Sequence, residues 1–450
     1  MTSVLLIGAG LSTQSLVPYL KNLIRSHDIS LRVVDQDASL AASRVGEPIR
    51  NCSHGALDIR QLDALESEVS KSDVTISMVP AHMHLSIAEA CLKHKSHLLT
   101  ASYLTGEMEA LDDEAKKSNL VFLSECGLDP GIDHMSAMQL LNSIREKGGT
   151  IKLFESFTGG LLSPSSEGSN PWRYKFTWNP RNVVLAGQGG AAKFIKDGKY
   201  KYIPYHKLFR RTQIINIEGF GKFEGYPNRD SLKYRSIYDL KNISTMYRGT
   251  LRRIGFCRAW NIFVQLGATD DSYIIEGSEN MTNRDFINSF LKFNPADSVE
   301  LKLRHYLRIE EDDYMWEKLV WLGIFEDKKI GLKDASPAQI LQKILNEKWS
   351  LKSSDKDMIV MWHKVSYEIK GLANELTSHM AYIGKDSKYT AMSDTVGLPL
   401  GIATKMLLNG SIKKRGVLMP IDKEIYEPVL SELKEYGIDF IEQHCELKIK

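Results

Sequence analysis

The run GLDPGIDHM at 127–135 places two carboxylates, Asp129 and Asp133, on a bent loop. Gly127, Pro130 and Gly131 turn the chain sharply there, directly after an apolar, strand-like run at 120–123. Open α/β sheets bind small molecules at the carboxyl ends of their strands, so Asp129 and Asp133 are expected in a pocket at that edge. TASY at 100–103 follows another apolar run, 97–100, and brings the hydroxyls of Ser102 and Tyr103 to the same edge. The phenol of Tyr103 is both donor and acceptor, suited to binding a carboxylate or passing a proton. A buried structural tyrosine is the alternative.

A second constellation points to a dinucleotide. GAGLST, residues 8–13, follows a strand ending at Ile7. Gly8 makes the tight turn, and Gly10 leaves room for a pyrophosphate against a helix N-terminus. Leu11, Ser12 and Thr13 complete the expected cofactor loop, with Thr13 where the fingerprint has Gly or Ala. The next strand ends in Asp35, near the spacing of an acid that holds the adenosine ribose 2′-OH. A carboxylate there repels a 2′-phosphate, so the cofactor is NAD or NADP, with Asp35 favouring NAD. Against this, Asp35 could merely start a turn or cap a helix at 38–43, and Arg44 could reach a phosphate. SMVP at 77–80 ends another strand, where Met78 and Val79 could meet the cofactor, or Pro80 could simply make a turn. Thr100 and Ala101 are counted with the cofactor-binding residues.

The third lies in a basic block. Residues 171–260 hold 19 Lys and Arg against 5 Asp and Glu, in a chain whose net charge is +2. Within it NPWRYKFTWNPRN (170–182), FEGYPNRDS (223–231) and RGTLRR (248–253) set arginines among glycines and aromatics. Arginine grips a carboxylate through two parallel hydrogen bonds that lysine cannot reproduce, so a substrate with several carboxylates suits this block. A solvated basic face is the plain alternative. The aromatics match no RNA-binding signature, and no nucleic acid is expected.

These residues need a scaffold. Apolar runs at 3–7, 31–34, 74–78, 97–100 and 120–123 alternate with helical stretches at 13–24, 61–69, 84–94 and 108–117, the rhythm of a parallel sheet. The fold class is therefore α/β, a Rossmann-type doubly wound sheet with a second α+β domain and a helical insertion. The expected division is 1–127 for dinucleotide binding, 128–295 for the substrate domain, 296–355 for the insertion, 356–392 for a return to the substrate domain, and 393–450 packing on the first domain. Strands are expected at 150–161, 247–268 and 358–371, and helices from Ser336–Pro337 and over 395–408.

At 450 residues two or three domains are expected. No apolar run approaches the roughly 18 residues that span a bilayer, and no signal peptide is read at the N-terminus. Five scattered cysteines without CxxC spacing argue for a reducing compartment and a cytoplasmic address. His82, His84, His94 and His97 have no completing ligand set, so no metal is expected. Walker A and GxSxG patterns are absent, which disfavours phosphoryl transfer and hydrolase chemistry.

With these stretches assembled, TASY, GLDPGIDHM, NPWRYKFTWNPRNVVLAGQG, FEGYPNRDS and RGTLRRIGF in order, the chain resembles the glutamate-forming saccharopine dehydrogenases, also called saccharopine reductases. The resemblance implies a Rossmann domain, an α+β substrate domain and an all-helical insertion. The implied reaction is the reversible joining of L-glutamate to 2-aminoadipate 6-semialdehyde through an imine reduced by the nicotinamide. It also implies that Ser102, Tyr103, Asp129, Arg229, Thr250 and Arg252 touch substrate, with Asp129 and Tyr103 holding the substrate amine and moving protons. Saccharopine carries three carboxylates, which gives the arginine block a purpose. The chain departs from the fungal biosynthetic relatives at Asp35 and in its GAGLST loop, which favours NAD and the degradative direction. A carboxynorspermidine-type enzyme would want a more acidic pocket, and a silent dinucleotide-binding scaffold would lack the substrate-facing residues. A homodimer is allowed, and no membrane partner is expected.

Overall fold

The computed structural model describes residues 1–446. Residues 447–450, the end of the expected 393–450 segment, lie outside the described residues. The chain divides into two units, Met1–Thr150 with Lys388–Ile441, and Ile151–Ser387 with the segment from Glu442.

In the first unit the apolar runs become strands β1 (Thr2–Ile7), β2 (Ile29–Asp35), β3 (Cys52–Ala56), β4 (Val74–Ser77), β5 (His97–Thr100) and β6 (Val121–Leu123). With Gly416–Leu418 they make a seven-stranded parallel sheet in the order Gly416–Leu418, β6, β5, β4, β1, β2, β3. The order reverses between β1 and β4, the position where a doubly wound sheet opens a crevice. Two strands were not expected. β3 reads CSHGA, an edge strand with little to bury, and Gly416–Leu418 is only three residues long. Leu5 and Ile7 of β1 pack with Val34, Ile87, Leu98 and Phe122 on one face of the sheet.

The first unit extends past the boundary expected at 127. Helix Ile132–Glu146 packs against Lys423–Glu435 of the same unit. Helix Ala391–Leu408 lies along the first long helix, Leu16–Ser26. There the Ser15 hydroxyl donates to Asp394 Oδ1 at 2.5 Å, and Ser15 N to Ser393 Oγ at 2.9 Å.

The second unit is a mixed nine-stranded sheet of β7 (Thr150–Leu162), β8 (Ala192–Lys196), β9 (Lys199–Ile203), β10 (Gln213–Ile217), β11 (Gly221–Pro227), β12 (Thr245–Arg253), β13 (Asp357–Ile369), β14 (Leu372–Ile383) and Ile441–Glu446. Its main path runs β10, β11, β12, β7, β13, β14, Ile441–Glu446. The last of these brings residues 442–446, expected on the first unit, into this sheet. The strand expected over 247–268 stops at Arg253. Gly255, at φ +86°, breaks it, and a helix follows, Phe256–Leu266. Its apolar positions recur every three or four residues, which outweighs the strand preference of the aromatics. Helices Val299–Leu307, Tyr314–Trp321 and Pro337–Trp349 occupy the expected insertion. Ser336 caps the last in a reciprocal capping box with Gln339. They close over an aromatic core in which Trp172, Tyr174, Phe256 and Trp260 all meet Trp349. No helix among the described residues is long and apolar enough to cross a membrane.

Candidate active site

The glycine loop is shaped by close approach. Gly8 has φ +101°, and a Cβ there would lie 2.6 Å from Met78 O, so β1 meets the end of β4 with no side chain between them. Beside Gly10 no atom lies within 4 Å of an ideal Cβ, which leaves open the cradle a pyrophosphate needs. Leu11–Thr13 form a 3₁₀ turn and the α-helix starts at Leu16, not at 13 as the periodicity suggested. Thr13 explains the delay: its N–H and hydroxyl both donate to Gly10 O, tightening the turn. Ser12 is half-buried and Leu11 exposed.

Asp35 does not cap the following helix. That role falls to Asp37, which accepts from Ser39 N and Leu40 N. Asp35 instead accepts from Ala9 N at 2.7 Å and Asp37 N at 3.0 Å, which ties the end of β2 to the glycine loop. Arg44 bends over the same loop, donating to Ala9 O at 2.9 Å and to Gln14 Oε1. Burial lowers its basicity and nearby Asp35 partly restores it. These residues fit a dinucleotide.

The two acid- and hydroxyl-bearing loops meet in the same unit. Tyr103 donates its phenolic proton to Asp129 Oδ1 at 2.9 Å. The loops are held by a residue that the sequence did not single out, Glu125. Its N–H donates to Ser102 O, its Oε1 accepts from Leu104 N at 2.9 Å, and its Oε2 lies 2.7 Å from His134 Nε2. His134 Nδ1 is in turn 3.7 Å from Asp133, which accepts from Gly131 N at 2.6 Å. Glu125, His134 and Asp133 are essentially solvent-free. Asp133 therefore braces the loop from inside instead of facing a pocket, while Asp129 stays half-buried at the edge. The signal was present: Glu125 is the one acid in an apolar stretch, and a buried acid needs a partner. At Gly131, φ +147°, a Cβ would fall 2.0 Å from Gly127 O, so this loop closes only with glycine.

Ser102 is held by His84, also unforeseen. The His84 ring spans the ends of β4 and β5, with Nδ1 at 2.8 Å from Ser77 Oγ and Nε2 at 2.7 Å from Ser102 Oγ. Burial, with His82 adding to it, pushes its pKa down to about 4. The other histidines have separate partners. His97 accepts from Val121 N, and His94 lies 3.6 Å from Glu66.

In the second unit Thr250 and Arg252 lie on β12, opposite Tyr226 and Glu224 of β11. Tyr226 hydrogen-bonds Thr250. Arg252, 6% exposed, is walled by the rings of Tyr174, Tyr226 and Phe256 at 5.1, 5.9 and 5.3 Å. Its Nη1 donates to Leu251 O, but its buried Nε has no partner, and among the described residues no carboxylate pairs with it. Glu224, directly across the strands, has turned away to accept from Cys257 N at the start of the next helix. Burial opposes the charge on Arg252, but Tyr226, Tyr174, Cys257 and, across the strands, the Glu224 carboxylate together outweigh it and raise its pKa. The two tyrosines and the cysteine are themselves raised by burial.

Much of the remaining basic block is tied down. Arg253 pairs with Glu167 at 2.8 Å, Arg173 shares that acid, and Arg181 pairs with Asp271. Arg248 stacks 4.2 Å over the Tyr234 ring. Lys175 is buried and pairs with Asp355 at 2.5 Å. Arg229 sits exposed at a turn with φ +47°, its carbonyl accepting from Lys193 N.

Comparison with known proteins completes the picture. Residues 4–123 match the family described as saccharopine dehydrogenase NADP binding domain, and residues 127–438 the saccharopine dehydrogenase C-terminal domain. The glutamate-forming, NADP(+) saccharopine dehydrogenase of Pyricularia oryzae is 32% identical over 448 residues, covering 97% of this chain and 98% of that protein. Mitochondrial alpha-aminoadipic semialdehyde synthase of Bos taurus is 32% identical over 98% of this chain but only 47% of its own length. Among solved structures, apo saccharopine dehydrogenase from Saccharomyces cerevisiae superposes with TM-score 0.87 at 30% identity, covering 99% of this chain and all of that one. Homospermidine synthase from Legionella pneumophila, at 11% identity and TM-score 0.55, shares the fold. From both halves of the sequence and from the fold, the chain belongs to the saccharopine dehydrogenase family.

Proposed function

We propose that this chain interconverts saccharopine with L-glutamate and 2-aminoadipate 6-semialdehyde in lysine metabolism, using a nicotinamide dinucleotide. The observation that carries this reading is Arg252, a buried guanidinium without a carboxylate of its own. A charge so enclosed calls for an anionic ligand, and a substrate with three carboxylates supplies one. A polyamine would instead bring a cation against it.

In this reading Thr250, Arg229 and Arg252 bind substrate carboxylates, Arg252 from among its aromatic walls. Asp129 holds the substrate's secondary ammonium. Tyr103, bonded to its Oδ1, orients that carboxylate and passes the proton released when the amine is oxidised. Ser102 also contacts substrate. Gly8, Gly10, Leu11, Ser12, Thr13, Met78, Thr100 and Ala101 hold the dinucleotide, which when bound supplies the hydride acceptor. The protein's part is orientation and charge complementarity.

For the cofactor's identity the supporting feature is Asp35. Its carboxylate at the end of β2 disfavours a 2′-phosphate, while Arg44 is engaged with the glycine loop. We favour NAD and the degradative direction, although the fungal relatives are named for NADP(+).

The test is the growth of reduced-nicotinamide absorbance with L-saccharopine and either dinucleotide, with saccharopine omitted as control. Saccharopine-dependent reduction is expected, faster with NAD. Silence with both, while the dinucleotide still binds, would remove the assignment. Asp35→Ala should erase the NAD preference, and an unchanged NAD to NADP ratio would take Asp35 out of cofactor selection.

A further inference from the structure

Two neighbouring strands of the first unit end at Ser77 and Thr100, which are paired in register. β4 leads from Ser77 to Met78, on the expected cofactor side. β5 leads from Thr100 to Ser102 and Tyr103, on the expected substrate side. One side chain touches both ends. His84 opens the helix His84–His94, and its ring reaches Ser77 Oγ through Nδ1 and Ser102 Oγ through Nε2. At 4% exposure His84 cannot meet a ligand itself. Ser102, half-buried, can.

The direction of these hydrogen bonds follows from the hydroxyls that surround the ring. Thr100 Oγ1 accepts from Ser102 N at 3.2 Å, so its own proton points elsewhere. Thr100 is buried, and the acceptor within its reach is His84 Nε2 at 3.4 Å. A neutral imidazole carries one proton. Two hydroxyls converge on Nε2 and one on Nδ1, an arrangement that favours Nε2 as the acceptor and the ring proton on Nδ1, facing Ser77. The Ser102 hydroxyl then spends its proton on the ring and presents only oxygen lone pairs to whatever lies in front of it.

We propose that His84 is a positioning residue that turns Ser102 into a hydrogen-bond acceptor for a substrate N–H, the secondary ammonium of an amino-acid-derived amine. This rests on the reading above, in which Ser102 faces substrate. Ser102 and Asp129 then act alike, both accepting from nitrogen, and the carboxylates are left to the arginines. The buried, neutral ring suits the task, since it keeps this polarity without gaining a charge at working pH.

The test uses the full chain and a substitution series. Glutamine can mimic Nε2 and asparagine Nδ1. His84→Asn, which keeps the Ser77 side, should raise KM for saccharopine about tenfold, as should Ser102→Ala, while KM for the dinucleotide stays within about twofold. His84→Gln should recover most of the loss. In the unmodified protein, long-range nitrogen spectra of labelled histidine should show the Nδ1–H tautomer at neutral pH, with the Nε2 resonance moving when saccharopine is added. An Nε2–H tautomer would overturn the proposal even if every variant misfolded. A rise in KM with Ser102→Ala but not with His84→Asn would overturn it and leave the functional reading standing. No effect from either would overturn it together with the placement of Ser102. An unmodified protein that binds dinucleotide but does not turn over saccharopine would remove the functional reading itself.

Discussion

The phenolic oxygen of Tyr103 lies 2.9 Å from Asp129 Oδ1, joining the loop that leaves β5 to the loop that leaves β6. A hydrogen bond to a charged acceptor is worth about 1.5–3 kcal/mol, or roughly 10- to 100-fold in rate if it is needed in the transition state. Tyr103→Phe should therefore lower kcat/KM for saccharopine by about that factor. Asp129→Asn should do at least as much damage, because the anion facing the ammonium is lost. Steady-state kinetics decide. A Tyr103→Phe enzyme at full kcat/KM would make the contact purely structural.

Glu125 and His134 make the opposite kind of pair, buried and load-carrying for the backbone on both sides. Leaving a buried polar group without its hydrogen-bond partner costs about 1–3 kcal/mol. Glu125→Ala should lower stability by that order in urea unfolding and release the Leu104 amide as well. A loss under about 1 kcal/mol, the range of surface pairs, would show that the bracket is dispensable.

Arg252 should behave unlike most buried residues. Replacing an unpaired buried charge with an apolar side chain of similar length removes a desolvation penalty. Arg252→Met is expected to change the stability of the ligand-free protein by no more than about 1 kcal/mol, the lost desolvation penalty offsetting the lost attraction to Glu224, while saccharopine KM rises roughly 100-fold. Paired urea and kinetic measurements separate the two effects. A clear loss of stability would mean that the guanidinium is already satisfied in the free protein.

His84 also gives a pH signature. Its folded pKa, about 4, lies below the unfolded value near 6.5, so below 6.5 the unfolded chain binds the extra proton. The stabilisation is complete above about pH 6.5 and falls away as pH drops towards 4, by roughly 3 kcal/mol in all. His84→Gln should flatten that part of the stability curve. An unchanged acid slope would assign it to other groups.

How legible these features were depended on how local their causes are. β1, β4 and β5 are apolar runs of four or more residues and could be read directly. β3 could not, because CSHGA at the sheet edge buries little. The helix at 256–266 hid behind strand-favouring aromatics, although its apolar positions recur at helical spacing and pack into the aromatic core. The positions of Tyr103 and Asp129 followed from strand ends, which chain pattern predicts. His84 did not, because its partners are 7 and 18 residues away and meet it only once β4 and β5 are paired. Arg252 was marked as a carboxylate binder, but its lack of a partner depends on Glu224 having turned away, a choice no periodicity encodes.

The contact of Ser15 with Asp394 spans 379 residues and sets an order of events during synthesis. Leu16, Leu20 and Leu23, buried in the finished first unit, leave the ribosome long before the helix that covers them. At 5–20 residues per second, their wait lasts roughly 20 to 75 seconds, during which residues 151–387 of the second unit are made. A nascent chain stalled before residue 388 should therefore expose the early helix to protease and chaperones, whereas one carried past residue 441 should not. For this protein the dinucleotide-binding unit begins first, yet it closes only after most of the other unit has been made.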